Sequence, residues 1–259
     1  MIPKIVHYTW LGRNEMPERA IRNLEGWKKL CPDYEFKLWN EDNFDINYNE
    51  FTKKSYEMKK YAFTNDVTRL YAIYKEGGIY LDLGVEMLKP IDDLLKDCKC
   101  FFAFSSEIQV ALGKGFASEK NSPIIKHILD DYNNIVINEN VKASRLASPA
   151  LNTKALVEAC PKIKLQGKTQ TVDGVKLISC GDYSEYLDNV GFQTWAGSKV
   201  KAKRKKYKNT FIKRKLKSEK IVLFCNKHNK NVFVKGYLFF IYDFIEFGPI
   251  YYIKKIIKK

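Results

Sequence analysis

The sequence contains no CxxC pair: its six cysteines (Cys31, Cys98, Cys100, Cys160, Cys180 and Cys225) are scattered along 259 residues. That spacing argues against a zinc site and reads as reduced, mostly buried thiols. The opening Met1-Ile2-Pro3-Lys4-Ile5-Val6-His7-Tyr8 has no basic stretch followed by an apolar one, so it does not read as a secretory signal, and cytoplasmic residence is the expectation. The aromatic and aliphatic stretch from Gly236 to Ile253 is interrupted by Asp243, Glu246 and Gly248-Pro249. It falls short of the roughly 20 uninterrupted apolar residues that a spanning helix needs, and reads as an interfacial or docked segment. No recognisable RNA- or DNA-binding module is present either.

Hydrophobic residues make up 45% of the chain and aromatics 14%, enough to bury a substantial core. The formal net charge of +15 is unevenly placed. Residues 1–198 hold 26 basic and 27 acidic side chains, net −1, whereas residues 199–259 hold 19 and 3, net +16. From Lys199 to Lys220, 12 of 22 residues are Lys or Arg. The expected organisation is therefore a near-neutral body, residues 1–198, with a basic, aromatic-rich extension, residues 199–259. Such an extension suits an anionic membrane surface, which offers about 1 kcal/mol per nearby cation. Nucleic acid is the rival partner, gripped by basic runs with Tyr207 and Phe211 among them.

Pro3 to Tyr8 reads as a buried first strand, with Thr9-Trp10-Leu11-Gly12 turning the chain at its carboxyl end. Pro17 opens a helix in its first turn; Ala20, Leu24, Trp27 and Cys31 form the apolar stripe, and Pro32 stops it. Tyr34 to Trp39 is a second strand. A helix over about Phe63 to Glu76 follows from Val67, Leu70, Tyr71 and Tyr74, with Gly77-Gly78 as its C-cap. Phe101 to Phe104 and Val175 to Ser179 read as strands, Ser122 to Tyr132 as a helix capped by Ser122, and Pro149 to Cys160 as an amphipathic segment. Strands alternating with helices give an α/β fold, whose ligands gather at strand carboxyl ends.

Two residues fall at such ends. Trp10 can stack on a planar base, although a lone Trp is more often core. Asp82 ends an apolar strand, and a carboxylate there is hard to explain as packing. Asp66 and Arg69, three apart, share a helix face and can bond hydroxyls and a phosphate, or simply pair with each other.

These pieces in this order resemble glycosyltransferase family 32, the sugar-binding glycosyltransferases with a D-x-D motif, which includes capsular and surface polysaccharide enzymes. The resemblance runs from Ile2-Pro3-Lys4-Ile5-Val6-His7-Tyr8-Thr9-Trp10-Leu11-Gly12 through Trp27, Cys31-Pro32-Asp33-Tyr34, Trp39-Asn40-Glu41-Asp42, Lys60-Tyr61-Ala62-Phe63, Asp66 and Arg69. It continues through Gly77 to Asp82 and Leu88-Lys89-Pro90-Ile91-Asp92. It implies a GT-A fold, distantly like the clostridial toxin glucosyltransferase domain. A UDP- or GDP-sugar donor would contact Trp10, Asp66, Arg69, Tyr80 and Asp82. Ser198 and Lys199 would fall where the family closes over the donor. The implied reaction is a retaining transfer to a glycan or lipid-linked acceptor in capsule or lipopolysaccharide synthesis; the basic extension adds the expectation of an enzyme peripheral to the inner membrane face. The family also implies a Mn2+ or Mg2+ ion on Asp82. Here the chain departs from the pattern: Asp82-Leu83-Gly84 stands where the family reads Asp-x-Asp, and Phe192-Gln193-Thr194-Trp195-Ala196-Gly197-Ser198 lacks the family's His pair. Three readings stay open: a metal-free transferase using Lys199 and its basic neighbours; a weak cation site on Asp82 with Glu86, the second catalytic candidate; or a non-catalytic homologue acting as a binding partner.

Overall fold

The computed structural model describes residues 1–138 and 148–189. The extension from residue 199, with Ser198, Lys199 and the domain boundary between them, lies outside the described residues. So does Cys225. Among the described residues no helix is long and apolar enough to cross a membrane.

A mixed sheet organises the body. β1 (Ile5–Thr9) lies between β2 (Glu35–Trp39) and β3 (Gly78–Tyr80), parallel to both. β7 (Phe116–Ser118) runs antiparallel to β3 and to β5 (Cys100–Ser106), whose other edge carries parallel β9 (Val175–Ile178) and then antiparallel β8 (Gln170–Val172). β6 (Gln109–Val110) folds back on β5. β5 shows why the sheet is buried on both faces. Its residues alternate sides, so Cys100, Phe102 and Phe104 join one apolar cluster while Phe101 and Ala103 join the other. The first cluster is covered by α2 (Glu50–Glu57), α3 (Tyr61–Glu76), α5 (Pro123–Asp131) and α6 (Ser148–Ala159), and the second by α1 (Glu18–Leu30) and the short α4 (Asp92–Leu95).

The expected elements are present with local differences. Pro17 is the N-cap of α1 rather than part of its first turn. Ser122 occupies the N-cap of α5, with Pro123 at its start, but its hydroxyl turns to the Cys100 thiol instead of capping. α2 has no counterpart in the sequence reading; a capping box starts it, in which the Asn49 side chain accepts from the Thr52 amide and the Thr52 hydroxyl from the Asn49 amide. α3 ends at Gly77, whose φ of 72° is unfavourable for any residue with a side chain. The strand after it is shorter than expected. It stops at Tyr80, the Val85 amide closes a turn onto the Asp82 carbonyl, and β4 (Val85–Met87) leaves the sheet to pair with β10 (Leu187–Asn189). Residues 82, 84 and 86 therefore share no strand face.

His7 ties β1 to its neighbours. Its Nδ1 accepts from the Trp39 indole at 2.9 Å and its Nε2–H donates to the Gly77 carbonyl at 2.8 Å, a pattern that only the neutral ring can make. Burial pushes its pKa down to about 4. Since the unfolded chain takes up this proton near pH 6.5 and the folded one only near 4, His7's contribution is complete above the first value and lost towards the second. The difference in unfolding free energy between wild type and His7→Gln should shrink by about 3 kcal/mol between pH 7 and pH 4, measured by urea denaturation.

Candidate active site

The carboxyl ends of β1 and β3 bring Thr9, Trp10, Tyr80 and Asp82 together, and α3 delivers Asn65, Asp66 and Arg69 beside them. The polar groups form a one-directional chain. The Thr9 hydroxyl donates to Asn65 Oδ1 at 2.6 Å, Asn65 Nδ2 donates to the Tyr80 oxygen at 3.0 Å, and the Tyr80 hydroxyl donates to Asp82 Oδ1 at 2.6 Å. Each link orients the next, so the carboxylate of Asp82 is held in one rotamer.

Arg69 holds it from the other side. Its Nη2 pairs with Asp66 and donates to the Ser148 hydroxyl at 3.1 Å, its Nη1 lies 3.9 Å from Asp82 Oδ1, and its guanidinium sits 5.8 Å from the Tyr80 ring centre. The Asp66 and Arg69 side chains are only 9% and 4% exposed, whereas that of Asp82 is 41% exposed. Asp66 and Arg69 thus form a buried pair beneath Asp82, and Asp82 alone of the three offers a carboxylate to solvent. Burial raises the pKa of Asp66 to about 6 against the opposing pull of Arg69, and Asp82 shifts upward for the same reason.

Gly113, in the turn after β6, closes the far side. A Cβ at this position would clash with Asp82 Oδ2 and lie 3.2 Å from Arg69 Nη1. Neither Gly113 nor Ser148 carries a sequence signal, because each enters the site from a distant segment. Asn65 stands in the Asn65-Asp66-Val67-Thr68-Arg69 run, but only the packing of α3 against β3 reveals its role.

Trp10 lies at the mouth of β1, partly exposed, with its indole donating to the Asn14 carbonyl and its amide to the Trp39 carbonyl at 3.0 Å. The loop beyond is clamped. Glu41 accepts from the Gly12 amide at 2.6 Å and the Tyr56 hydroxyl at 2.8 Å, Arg13 pairs with Asp42 at 2.6 Å, and the Tyr61 ring fills the space where a Cβ of Gly12 would project.

Glu86 is not brought to this cluster. It is exposed on β4, directly across from Asp188 of β10, and faces α1 instead. The reading of Asp82 with Glu86 as a joint cation site is corrected accordingly: the turn at residues 82–85 separates them. Among the described residues no three metal-ligating side chains converge. At Asp82 one carboxylate oxygen is occupied by Tyr80, the other lies against Gly113, and Gly84 adds no donor. The described residues therefore offer a divalent cation one carboxylate at most.

Residues 17–101 match the family described as the glycosyltransferase sugar-binding region containing the DXD motif. Inositol phosphoceramide mannosyltransferase 3 of Schizosaccharomyces pombe is 37% identical over 102 residues, 36% of this chain and 27% of that protein. Mannosyl phosphorylinositol ceramide synthase CSH1 of Saccharomyces cerevisiae is 31% identical over 37% of this chain and 26% of its own length. The chain thus spans only about a quarter of these two fungal relatives. Glycosyltransferase L373 of Acanthamoeba polyphaga mimivirus is 25% identical over a longer stretch, 76% of this chain and 84% of its own. The solved PaToxG glycosyltransferase superposes with a TM-score of 0.52 over 62% of this chain and 70% of that one, at 21% identity, and so shares the fold. Residues 17–101 are thus similar to the sugar-binding region of the DXD-motif glycosyltransferases, within a body that has the GT-A fold.

Proposed function

We propose that this protein transfers a hexose from a UDP- or GDP-sugar to a glycan or lipid-linked acceptor with retention, in the assembly of a surface polysaccharide or glycolipid. The observation that carries this reading is Asp82, a half-exposed carboxylate at a strand's carboxyl end, held between the Tyr80 hydroxyl and the Arg69 guanidinium. In the proposed reaction the bond from the sugar's anomeric carbon to the diphosphate breaks, one to the acceptor oxygen forms, and the acceptor's proton leaves with the diphosphate. Trp10 stacks on the base. Asp82 orients the donor, and the buried Asp66–Arg69 pair fixes Asp82. The fungal relatives are named for mannosyl transfer to inositol phosphoceramide, which supports a lipid-linked acceptor and a mannosyl donor here. The +16 charge of residues 199–259 supports docking at the inner face of a membrane, and sedimentation with anionic liposomes at low salt tests it.

Isothermal titration with UDP, GDP and their sugars, in manganese and then in EDTA, tests the donor assignment. Binding of one nucleotide is expected in both, because the described residues form no cation cage. Loss of binding in EDTA would restore the cation to the site. Absence of binding in both, with the fold intact, would overturn the enzyme reading in favour of a non-catalytic partner.

The Glu41 clamp makes a further prediction. Glu41→Ala frees the Gly12 amide and the loop behind Trp10, and should weaken nucleotide binding about tenfold, the worth of one charge-assisted hydrogen bond of about 1.5 kcal/mol. Glu41→Gln keeps an acceptor oxygen and should retain most of the affinity in the same titration.

A further inference from the structure

A groove of about 360 Å³ lies between α1 and β4, lined by Arg19, Arg22, Asn23, Gly26, Glu86 and Met87. The four α1 residues fall at i, i+3, i+4 and i+7, one stripe of the helix beside the stripe that buries Ala20 and Trp27. The same helix face grips the turn that carries Asp82. Asn23 Nδ2 donates to the Leu83 carbonyl at 2.8 Å and the Trp27 indole to the Val85 carbonyl at 3.0 Å. The groove therefore adjoins the turn at residues 82–85, on the side away from Arg69.

Two locally unfavourable choices meet here, beside two exposed charged side chains. Gly26 sits inside α1, where glycine is the poorest helix former apart from proline, and a Cβ there would touch nothing within 4 Å. Packing thus gives no reason for the glycine; its effect is to leave the groove open. Glu86 faces Asp188 directly across β4 and β10, a like-charge pair that weakens a two-stranded ribbon. Arg22 and Glu86 line one groove, yet neither is in an ion pair or side-chain hydrogen bond among the described residues. Local rules broken together at one spot mark a site kept for a ligand rather than for stability.

The lining defines the ligand's chemistry. Arg19 is already engaged in an interaction of its own, which leaves the Arg22 guanidinium beside the Glu86 carboxylate, so the groove does not select a polyanion. Arg, Asn and Glu side chains offer planar donors and acceptors that match vicinal hydroxyls, with Gly26 and Met87 as an apolar floor. The volume falls in the range of small-ligand pockets. We propose that this groove is a glycan subsite, which takes a neutral hexose unit of the acceptor remote from the reacting hydroxyl. Its assignment to the acceptor rests on the transferase reading; its capacity to hold a neutral sugar does not.

The test is a glycan array of neutral and acidic oligosaccharides probed with the full chain and with Gly26→Leu, beside nucleotide titration of both. Gly26→Leu meets no obstruction at its Cβ and gains helix propensity, so its thermal unfolding should not fall below that of wild type. The expected result is wild-type binding to neutral glycans, reduced tenfold or more by Gly26→Leu and by Arg22→Ala, with nucleotide affinity unchanged. Glycan binding that Gly26→Leu leaves intact, binding confined to acidic glycans, or no glycan binding at all would overturn the subsite. Glycan binding without nucleotide binding would keep the subsite and overturn the transferase reading instead.

Discussion

Replacing Arg69 with methionine should destabilise the fold by about 3–5 kcal/mol at pH 7, the range for breaking a buried ion pair from one side. The guanidinium is nearly inaccessible and compensates Asp66, itself buried. Asp82, being 41% exposed, retains solvent screening, so most of the loss comes from Asp66. The pH dependence gives the mechanism away. With its counter-charge present, Asp66 already titrates near 6 because of burial. Without it, that pKa rises further above the unfolded value, and a group whose folded pKa is raised favours the folded state as it is protonated. Urea denaturation at pH 7 and pH 5 should therefore show part of the loss recovered at the lower pH. The pair Arg69→Met with Asp66→Asn should recover much of it at pH 7, because no uncompensated charge is left in the core. A variant equally unstable at both pH values would show that Arg69 acts through packing alone.

Asp82→Asn should leave the fold intact and lower kcat/KM for sugar transfer or donor hydrolysis by about 100- to 1000-fold, the scale for removing one preorganised electrostatic group. The amide is isosteric and still accepts from the Tyr80 hydroxyl, 2.6 Å away in the wild type. Because burial disfavours the ionised Asp82, losing its charge should not lower the melting temperature. The pair of readouts separates function from stability: unchanged circular dichroism and thermal unfolding with the activity gone places Asp82 at the reaction. Activity within a few-fold of wild type would remove it from the site and shift the donor contacts to partly exposed neighbours such as Trp10.

Local pattern was enough for several elements in the first half of the body, though not for α2. The β-branched run before Thr9, the apolar spacing of Val67, Leu70, Tyr71 and Tyr74, and the Gly77-Gly78 stop are short-range signals, and β1, α3 and the start of β3 follow them closely. They also made Asp82 conspicuous, since a carboxylate at the end of an apolar strand is anomalous wherever the rest of the chain goes. The i, i+3 spacing of Asp66 and Arg69 showed that the two share a helix face, but burial of that face depends on what packs over it, and Ser148 arrives from α6 to do so. The same holds for Gly113, which only the return of the chain after β6 brings against Asp82. Glu86 shows the converse. A two-residue alternation would place it beside Asp82, but that alternation holds only while a strand continues, and the hydrogen bond from the Val85 amide to the Asp82 carbonyl ends it. The sequence by itself thus determined the α/β class and the residue at which charge emerges from the sheet. Which polar groups surround that charge, which are buried beneath it and which face away were decided only by tertiary packing, because spacing records distance along the chain and a site is made by distance across it.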